Sequence, residues 1–524
     1  MTRLDDALAR PFGTLPALIR IHARAAPSRP AVICPAGTLS YAALDALADR
    51  IATALLRDGE RPGAAVAVCA AASGRYVAAV AGILRAGMTV VPLGHTLPAG
   101  DLARMLADAG ARQVFVDEST AATLASPAVP ASLLRITLDD SAPGVPLSGW
   151  LAPAGEVPRA AEVQPDDPFN LIYSSGTTGV PKGIVQPQRM RWAHIQRAQV
   201  FEYGPAAVSL LSTPLYSNTT LVILIPALAY GGTAVLMPRF TTTEYLRLAA
   251  QHRVTHTMLV PVQYRRLLAD AQFDRCDLSA FRFKFCTSAP FAAELKAEVL
   301  RRWPGELIEF YGMTEGGGTC ILDARRFPGK LHTVGRPAEG HDIRLIDDHG
   351  CEVAPGQPGE VVGHSPSMMS GYHGLPQKTR EAEWLDPSGR RFIRTGDIGR
   401  FDEDGFLILS DRRKDMIISG GFNVYPSDLE AVLMRHPAVK EAAVVGVPSE
   451  RWGETPVAFV VAAEGERPDA QALTDWANAQ LAKVQRIAEL RFVEELPRSP
   501  IGKVLKTALR SAWRGPAGGG TGTV

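Results

Sequence analysis

The stretch "FNLIYSSGTTGVPKG", Phe169 to Gly183, runs from an apolar segment straight into a loop of glycines and hydroxyls that carries one charge, Lys182. The apolar part reads as a strand, so the loop sits at a strand's carboxyl end, where ligands of open α/β sheets gather. Backbone N–H groups and the hydroxyls of Ser174, Ser175, Thr177 and Thr178 suit phosphate oxygens. Gly176, Gly179 and Gly183 let the backbone approach a ligand, and Lys182 adds a positive charge. The spacing is not that of a Walker loop (GxxxxGKS or GxxxxGKT), and Pro181 disfavours the helix such a loop begins. A Ser/Thr/Gly loop alone is more often a flexible connection, so its company in the chain decides the reading.

Upstream, "SYAALDALADRIATALLRDG" spaces its apolar residues by three and four, with Ser40 as N-cap and Gly59 as stop, and predicts a helix. The short runs "AAVAVCA", "MTVVPLG" and "ARQVFVD" are continuously apolar, as strands covered on both faces are. Their alternation with helices predicts an α/β fold with mainly parallel sheets. Residues 139–168, rich in proline, glycine and alanine, read as a surface connection. After Ser410 the text turns to helix, strand, strand, helix, which fits a small α+β domain of about 110 residues. The expected organisation is a large N-terminal domain of several subdomains over 1–410, a hinge at 411–414, a small mobile domain over 415–515, and a disordered tail at 516–524.

Composition narrows the function. With 524 residues and 46% apolar content, more than one core is expected. The chain has 55 basic and 54 acidic residues, net charge +1, so it has no basic field to gather nucleic acid or an anionic membrane. Cys34, Cys69, Cys276, Cys286, Cys320 and Cys351 are scattered without a CxxC pair, which predicts reduced and mostly buried thiols. The N-terminal "MTRLDDALARPFG" lacks a hydrophobic signal core and carries acids, so a cytoplasmic protein is expected. Tyr203 to Pro238 holds no charge, but prolines, Gly231 and Gly232 interrupt it. Buried strands and helices are therefore expected there, because a spanning helix wants about 20 mostly apolar residues in a row.

Four separated motifs carry a resemblance: "YSSGTTGVPKG" at 173–183, "YGMTEGG" at 311–317, "RTGDIGRFDEDGFL" with "SDRRKDMIISGGFNVYPSDLE" at 394–430, and "PRSPIGKVLK" at 497–506. In order and rough spacing the chain resembles the acyl-adenylating superfamily of acyl-CoA synthetases, peptide-synthetase adenylation domains and luciferases. The resemblance implies a reaction in which a carboxylate displaces pyrophosphate from ATP and the acyl-adenylate then meets a thiol. ATP, Mg²⁺ and coenzyme A are the implied small molecules.

By that resemblance Thr314 contacts the α-phosphate and Glu315 holds Mg²⁺, while Ser288, Ala289 and Pro290 line adenine, with Tyr311 on its other face and Gly312 beside it. Asp397 accepts hydrogen bonds from the ribose hydroxyls, with Arg412 helping from across the domain boundary. Lys503 is the implied cation of the adenylation step, Lys414 the hinge, and Gly420, Gly421 and Phe422 the passage for the pantetheine arm of coenzyme A. The acid pocket is expected to include Tyr216, Ser217, Asn218, Ile223 and Gly317.

Amino-acid-activating relatives usually carry an aspartate where this chain has Ser217, and burying an ammonium without a carboxylate is costly, so an amino-acid substrate is disfavoured. The neutral lining fits a small or medium aromatic or aliphatic acid. The reading is an acid–CoA ligase. Its alternative is a stand-alone adenylation enzyme that loads a separate carrier protein, since this chain has no carrier-like DSL motif. A nucleotide-binding regulator without chemistry would show decay at Lys503, Glu315 or Asp397, and all three are intact.

Overall fold

The structure is a computed structural model that describes residues 3–141, 144–174, 181–412, 415–419, 422–449, 451–466, 468–481, 485–499 and 503–513. The expected tail and the residues Ser175 to Gly179, Lys414, Gly420 and Gly421 lie outside that set, as do the side chains of Ser174, Arg412 and Phe422. The chain divides into two compact units, Met1–Ile343 with Val362–Arg394, and Arg344–Val361 with Thr395–Val524.

Local chemistry in the first unit follows the sequence. Ser40 Oγ accepts the Ala43 N–H at 3.2 Å and caps the helix Tyr41–Arg57, and Gly59 at φ +86° ends the run. The three apolar runs become the strands Ala65–Cys69, Thr89–Pro92 and Gln113–Val116, paired in parallel and buried. β1 (Pro168–Ser174) adds to the edge beside Thr89–Pro92 and turns back antiparallel into β2 (Lys182–Pro187). A strand rather than a helix therefore follows the glycine-rich loop, in keeping with Pro181 disfavouring a helix there. β2 runs directly into α1 (Gln188–Arg197).

The uncharged segment 203–238 forms the strand Val208–Leu211, the helix α2 (Asn218–Ala229) and the strand Thr233–Leu236. α2 is buried around nearly its whole circumference, which its all-round apolar sequence demands. No described helix is long and apolar enough to cross a membrane. A second sheet of nine strands contains β3 (Phe283–Cys286) and β4 (Glu306–Tyr311), neighbours in parallel register with Cys286 opposite Glu309.

Two expectations change. The 139–168 connection is not all surface: Val145–Pro146 pairs with Leu134–Thr137, and Trp150 is 5% exposed, packs edge-on to Phe115 and donates to Asp58 Oδ2 at 2.6 Å. The cysteines are all free, but only Cys69, Cys286 and Cys320 are buried, and Cys351 is exposed.

From Thr395 onward β5 (Arg391–Phe401) belongs to the second unit, where it forms a hairpin with β6 (Leu407–Arg412) that sets Asp397 directly opposite Arg412. This unit takes in Thr395 to Ser410, upstream of the expected boundary at 410. Beyond the hairpin come the helix Pro426–Leu433, the antiparallel strands Val439–Ser449 and Gly453–Ala462, and the helix Ala470–Asn478, in the order the sequence predicts. Cores on both faces of that sheet hold it, one around Leu429, Val444 and Leu473, the other around Val445, Phe459 and Leu509.

Candidate active site

In the first unit the site grows from the carboxyl ends of β1, β3 and β4. Tyr173, last but one in β1, turns its hydroxyl to Asp108 Oδ2 at 2.6 Å and the Met105 carbonyl at 3.1 Å. It anchors the strand and does not add to the loop's hydroxyls. Lys182 stands opposite Ser174 where the chain returns, its Nζ 5.0 Å from the centre of the Tyr372 ring. Gly183 lies within β2, where its missing Cβ leaves room for Leu171 and His373.

Tyr372 links that lysine to the loop after β4. Its hydroxyl donates to Glu315 Oε1 at 2.9 Å, and the Met369 N–H donates to the Glu315 carbonyl at 2.8 Å. Burial and the Glu315 carboxylate hold the phenol's pKa well above its ordinary value, so the hydroxyl stays a donor. Thr314 is tied at its carbonyl by Gln186 Nε2 at 2.6 Å. Gln186 Oε1 accepts from Asn170 Nδ2 at 2.9 Å. Neither Tyr372, Gln186 nor Asn170 stands out in the sequence. Tyr372 follows Glu315 by 57 residues, and no local pattern joins them.

Gly316 shows why small residues follow Glu315. It adopts φ +79°, and a Cβ there would collide with the Ser367 carbonyl oxygen. Gly316→Ala is expected to destabilise the protein by about 1–3 kcal/mol and to displace Glu315, because both φ and the backbone contact oppose the methyl. Thermal unfolding and ATP-dependent turnover should both fall. Gly329→Ala is the control, since a Cβ there meets nothing within 4 Å.

Ser288 to Pro290 follow β3 and lie one strand away from Tyr311 and Gly312, which end and follow β4. Ser288 takes φ +80°, a sparsely populated conformation for a side-chain-bearing residue, and its Oγ lies 2.8 Å from Thr219 Oγ1. Thr287 Oγ1 donates to the Phe310 carbonyl at 2.8 Å and locks the two loops together.

Of the expected acid-pocket residues, Ser217 caps α2 by accepting the Thr219 N–H at 3.3 Å. Tyr216 lies against Gly94, and Gly317, at φ +79°, abuts the Gly363 carbonyl and Ile393. Asn218 Oδ1 accepts from Arg191 Nη2 at 2.9 Å. Ile223 is 1% exposed and belongs to the core, so its side chain faces packed neighbours.

In the second unit Asp397 is held by its own N–H bonding Thr395 Oγ1 at 3.0 Å, opposite Arg412 in the hairpin. The two were expected on either side of a boundary; they share one hairpin of one unit. Lys503 closes a turn in which the Ser499 N–H donates to the Lys503 carbonyl at 2.8 Å and the Lys503 N–H donates to Ser499 Oγ at 3.2 Å.

Comparison with known proteins fits this arrangement. Residues 19–373 match the AMP-binding enzyme family and residues 428–503 the AMP-binding enzyme C-terminal domain. The chain is 34% identical over 523 residues to a fatty acid–[acyl-carrier-protein] ligase of Streptomyces coeruleorubidus, covering 97% of this chain and 98% of that protein. It is 34% identical over 498 residues to a feruloyl-CoA synthase of Amycolatopsis, covering 93% and 97%. In three dimensions it resembles an amide bond synthetase from Marinactinospora thermotolerans, with TM-score 0.84, 29% identity, and 95% and 100% of the two chains covered.

Proposed function

Because the chain belongs to the AMP-binding enzyme family through both its main and its C-terminal parts, we propose that it is an ATP-dependent ligase joining a carboxylic acid to a thiol through an acyl-adenylate. The observation that carries this reading is the set of polar groups gathered at the carboxyl ends of β1, β3 and β4. Lys182, Tyr372 and Glu315 form a chain of contacts there, beside the paired loops of Ser288 and Tyr311.

A carboxylate is a resonance-stabilised anion that no thiol attacks, so it must first gain a leaving group. Exchanging pyrophosphate for the carboxylate at the α-phosphorus of ATP brings two anions together, and fixed cations and dipoles are what lower that barrier. In this reading Lys182 and the 174–179 backbone hold the β- and γ-phosphates, and Asp397 accepts from the ribose hydroxyls. Lys503 neutralises the charge shared by carboxylate and α-phosphate.

Glu315 fits a Mg²⁺ ligand. Tyr372 occupies Oε1 and fixes the carboxylate's orientation, leaving Oε2 for a hard cation that takes its other oxygens from phosphate and water. Bound there, Mg²⁺ would screen the phosphate charge during the displacement. Among the described residues no group of three or more potential metal ligands exists, which suits an ion that arrives with the nucleotide.

Coenzyme A is the first acceptor to test. A carrier protein's pantetheine is the second, favoured by the likeness to a carrier-protein ligase. AMP release should be measured with a panel of small and medium aromatic and aliphatic acids, with coenzyme A or with holo-carrier proteins. CoA-dependent AMP formation supports the ligase as stated, and release with holo-carriers alone moves the reading to carrier loading. AMP release without any acid dependence overturns both.

A further inference from the structure

The helix behind the acid pocket carries an excess of positive charge that nothing in the proposed chemistry uses. α1, "QRMRWAHIQR", contains three arginines, a histidine and no carboxylate. Arg191, His194 and Arg197 recur every three residues and so run along one stripe of the helix.

Arg191 is 1% exposed, and its acceptors are neutral: Asn170 Oδ1 at 3.1 Å, Gln186 Oε1, Asn218 Oδ1 at 2.9 Å and His194 Nδ1 at 3.4 Å. Burial alone lowers its pKa to about 9 and that of Arg197 to about 10, with no carboxylate opposing the shift. Buried guanidiniums are normally paired, because a desolvated cation facing only neutral groups is poorly compensated.

At the far end of the stripe the hydrogen bonding is incomplete. His341 Nδ1 accepts the Thr319 N–H at 2.9 Å, which places the ring proton of a neutral imidazole on Nε2. Burial, Arg197 and His364 lower the His341 pKa to about 4, so the ring is neutral at physiological pH. Its Nε2 lies 3.3 Å from Arg197 Nη1, so two N–H donors face each other without an acceptor. His194 and Arg197 are neither fully buried nor exposed, so a ligand can reach this end of the stripe. Asn218 joins one end of this array to the acid pocket, and Thr319 joins the other end two residues from Gly317.

We propose that Arg197 and His341, with the uncompensated charge of Arg191 behind them, receive a second anionic oxygen group, a carboxylate or sulfonate, at the far end of the acid, so that the substrates are dianionic acids. This inference rests on the acid-activating reading above. An anionic oxygen between Arg197 and His341 would accept from both facing donors. The helical rise puts Arg197 about 9 Å beyond Arg191, which sets the reach required of the acid. The neutral pocket lining expected from 213–223 remains the middle of the site; the charge lies on a helix outside that segment.

The test uses the full-length protein with ATP, Mg²⁺ and the thiol that supports turnover. It compares chain-matched acids ending in methyl, carboxylate or sulfonate over a homologous series. The expected result is a kcat/KM roughly 100-fold or more higher for the dianionic members, since a site built to donate to a charged group is left unpaired by the methyl analogue. Arg197→Met should erase most of that ratio through KM while turnover of the methyl-ended acid stays, with its thermal midpoint recorded to exclude unfolding. Methyl-ended acids turned over as well as their dianionic partners by the unmodified protein would overturn the inference and leave the ligase reading intact. An equal loss with every acid in Arg197→Met would overturn it too, since that marks a structural residue. Failure of every acid to support AMP formation would overturn the ligase reading and this inference together.

Discussion

Lys503→Ala is expected to lower acyl-adenylate formation by roughly 10²–10³-fold while sparing conversion of supplied acyl-AMP and thiol to the thioester. The asymmetry follows from charge. In the first half-reaction negative charge accumulates between an incoming carboxylate and a pentacoordinate phosphorus. In the second a thiol meets a mixed anhydride whose leaving group is already good. The turn that presents Lys503 is fixed by two hydrogen bonds to Ser499 and by the Arg498–Val504 bridge, so truncating the side chain leaves its backbone intact. Its neighbours supply a control. Arg498 pairs with Glu441 at 2.7 Å and Lys506 with Glu430 at 2.8 Å. Lys506→Ala should therefore lower the thermal midpoint and change the chemistry little, because it removes one partner of a largely buried ion pair that lies outside the Lys503 turn. The measurement is a pair of assays, pyrophosphate release for the first step and thioester formation from synthetic acyl-AMP for the second. Unchanged pyrophosphate release in Lys503→Ala would remove this lysine from the mechanism.

The parts of the fold that the sequence made legible are those whose cause is local. Ser40 and Gly59 bracket a helix because a cap and a left-handed stop act within a few residues, and continuous apolar runs mark strands because both faces are covered. Pro181 argued against a helix directly after the loop, and a strand follows it. The surface reading of 139–168 fails at Trp150 because its burial depends on Phe115 and Asp58, partners far away in sequence. The site divides in the same way. Glu315 and its glycines announce themselves as a motif, whereas Tyr372, which orients the carboxylate, and Arg191, which reaches Asn218, are brought there by the fold. Motif reading finds the groups proposed to meet the nucleotide. It does not find the groups that hold them, since those can come from any element that packs nearby.

Glu315→Gln is the second large effect, and it separates charge from shape. Glutamine keeps the size of the side chain and an oxygen to accept from the Tyr372 hydroxyl, and the Met369 N–H bonds the backbone carbonyl whichever side chain is present. Fold and loop geometry should persist, and the thermal midpoint should change little. What disappears is the negative charge and with it most of the affinity for a hard divalent cation, whose ligands are preferentially anionic oxygens. Acyl-adenylate formation is expected to fall roughly 10²–10³-fold, and the Mg²⁺ concentration for half-maximal rate to rise. Tyr372→Phe sharpens the comparison, because it leaves the charge and removes the donor that aims it. That variant should lose about tenfold or less, the effect of a second-layer partner on metal affinity being smaller than that of the ligand. Should Glu315→Gln retain its rate and Mg²⁺ dependence, the carboxylate would be a tether for the Ser367–Tyr372 segment and the cation would have to be held by the nucleotide alone.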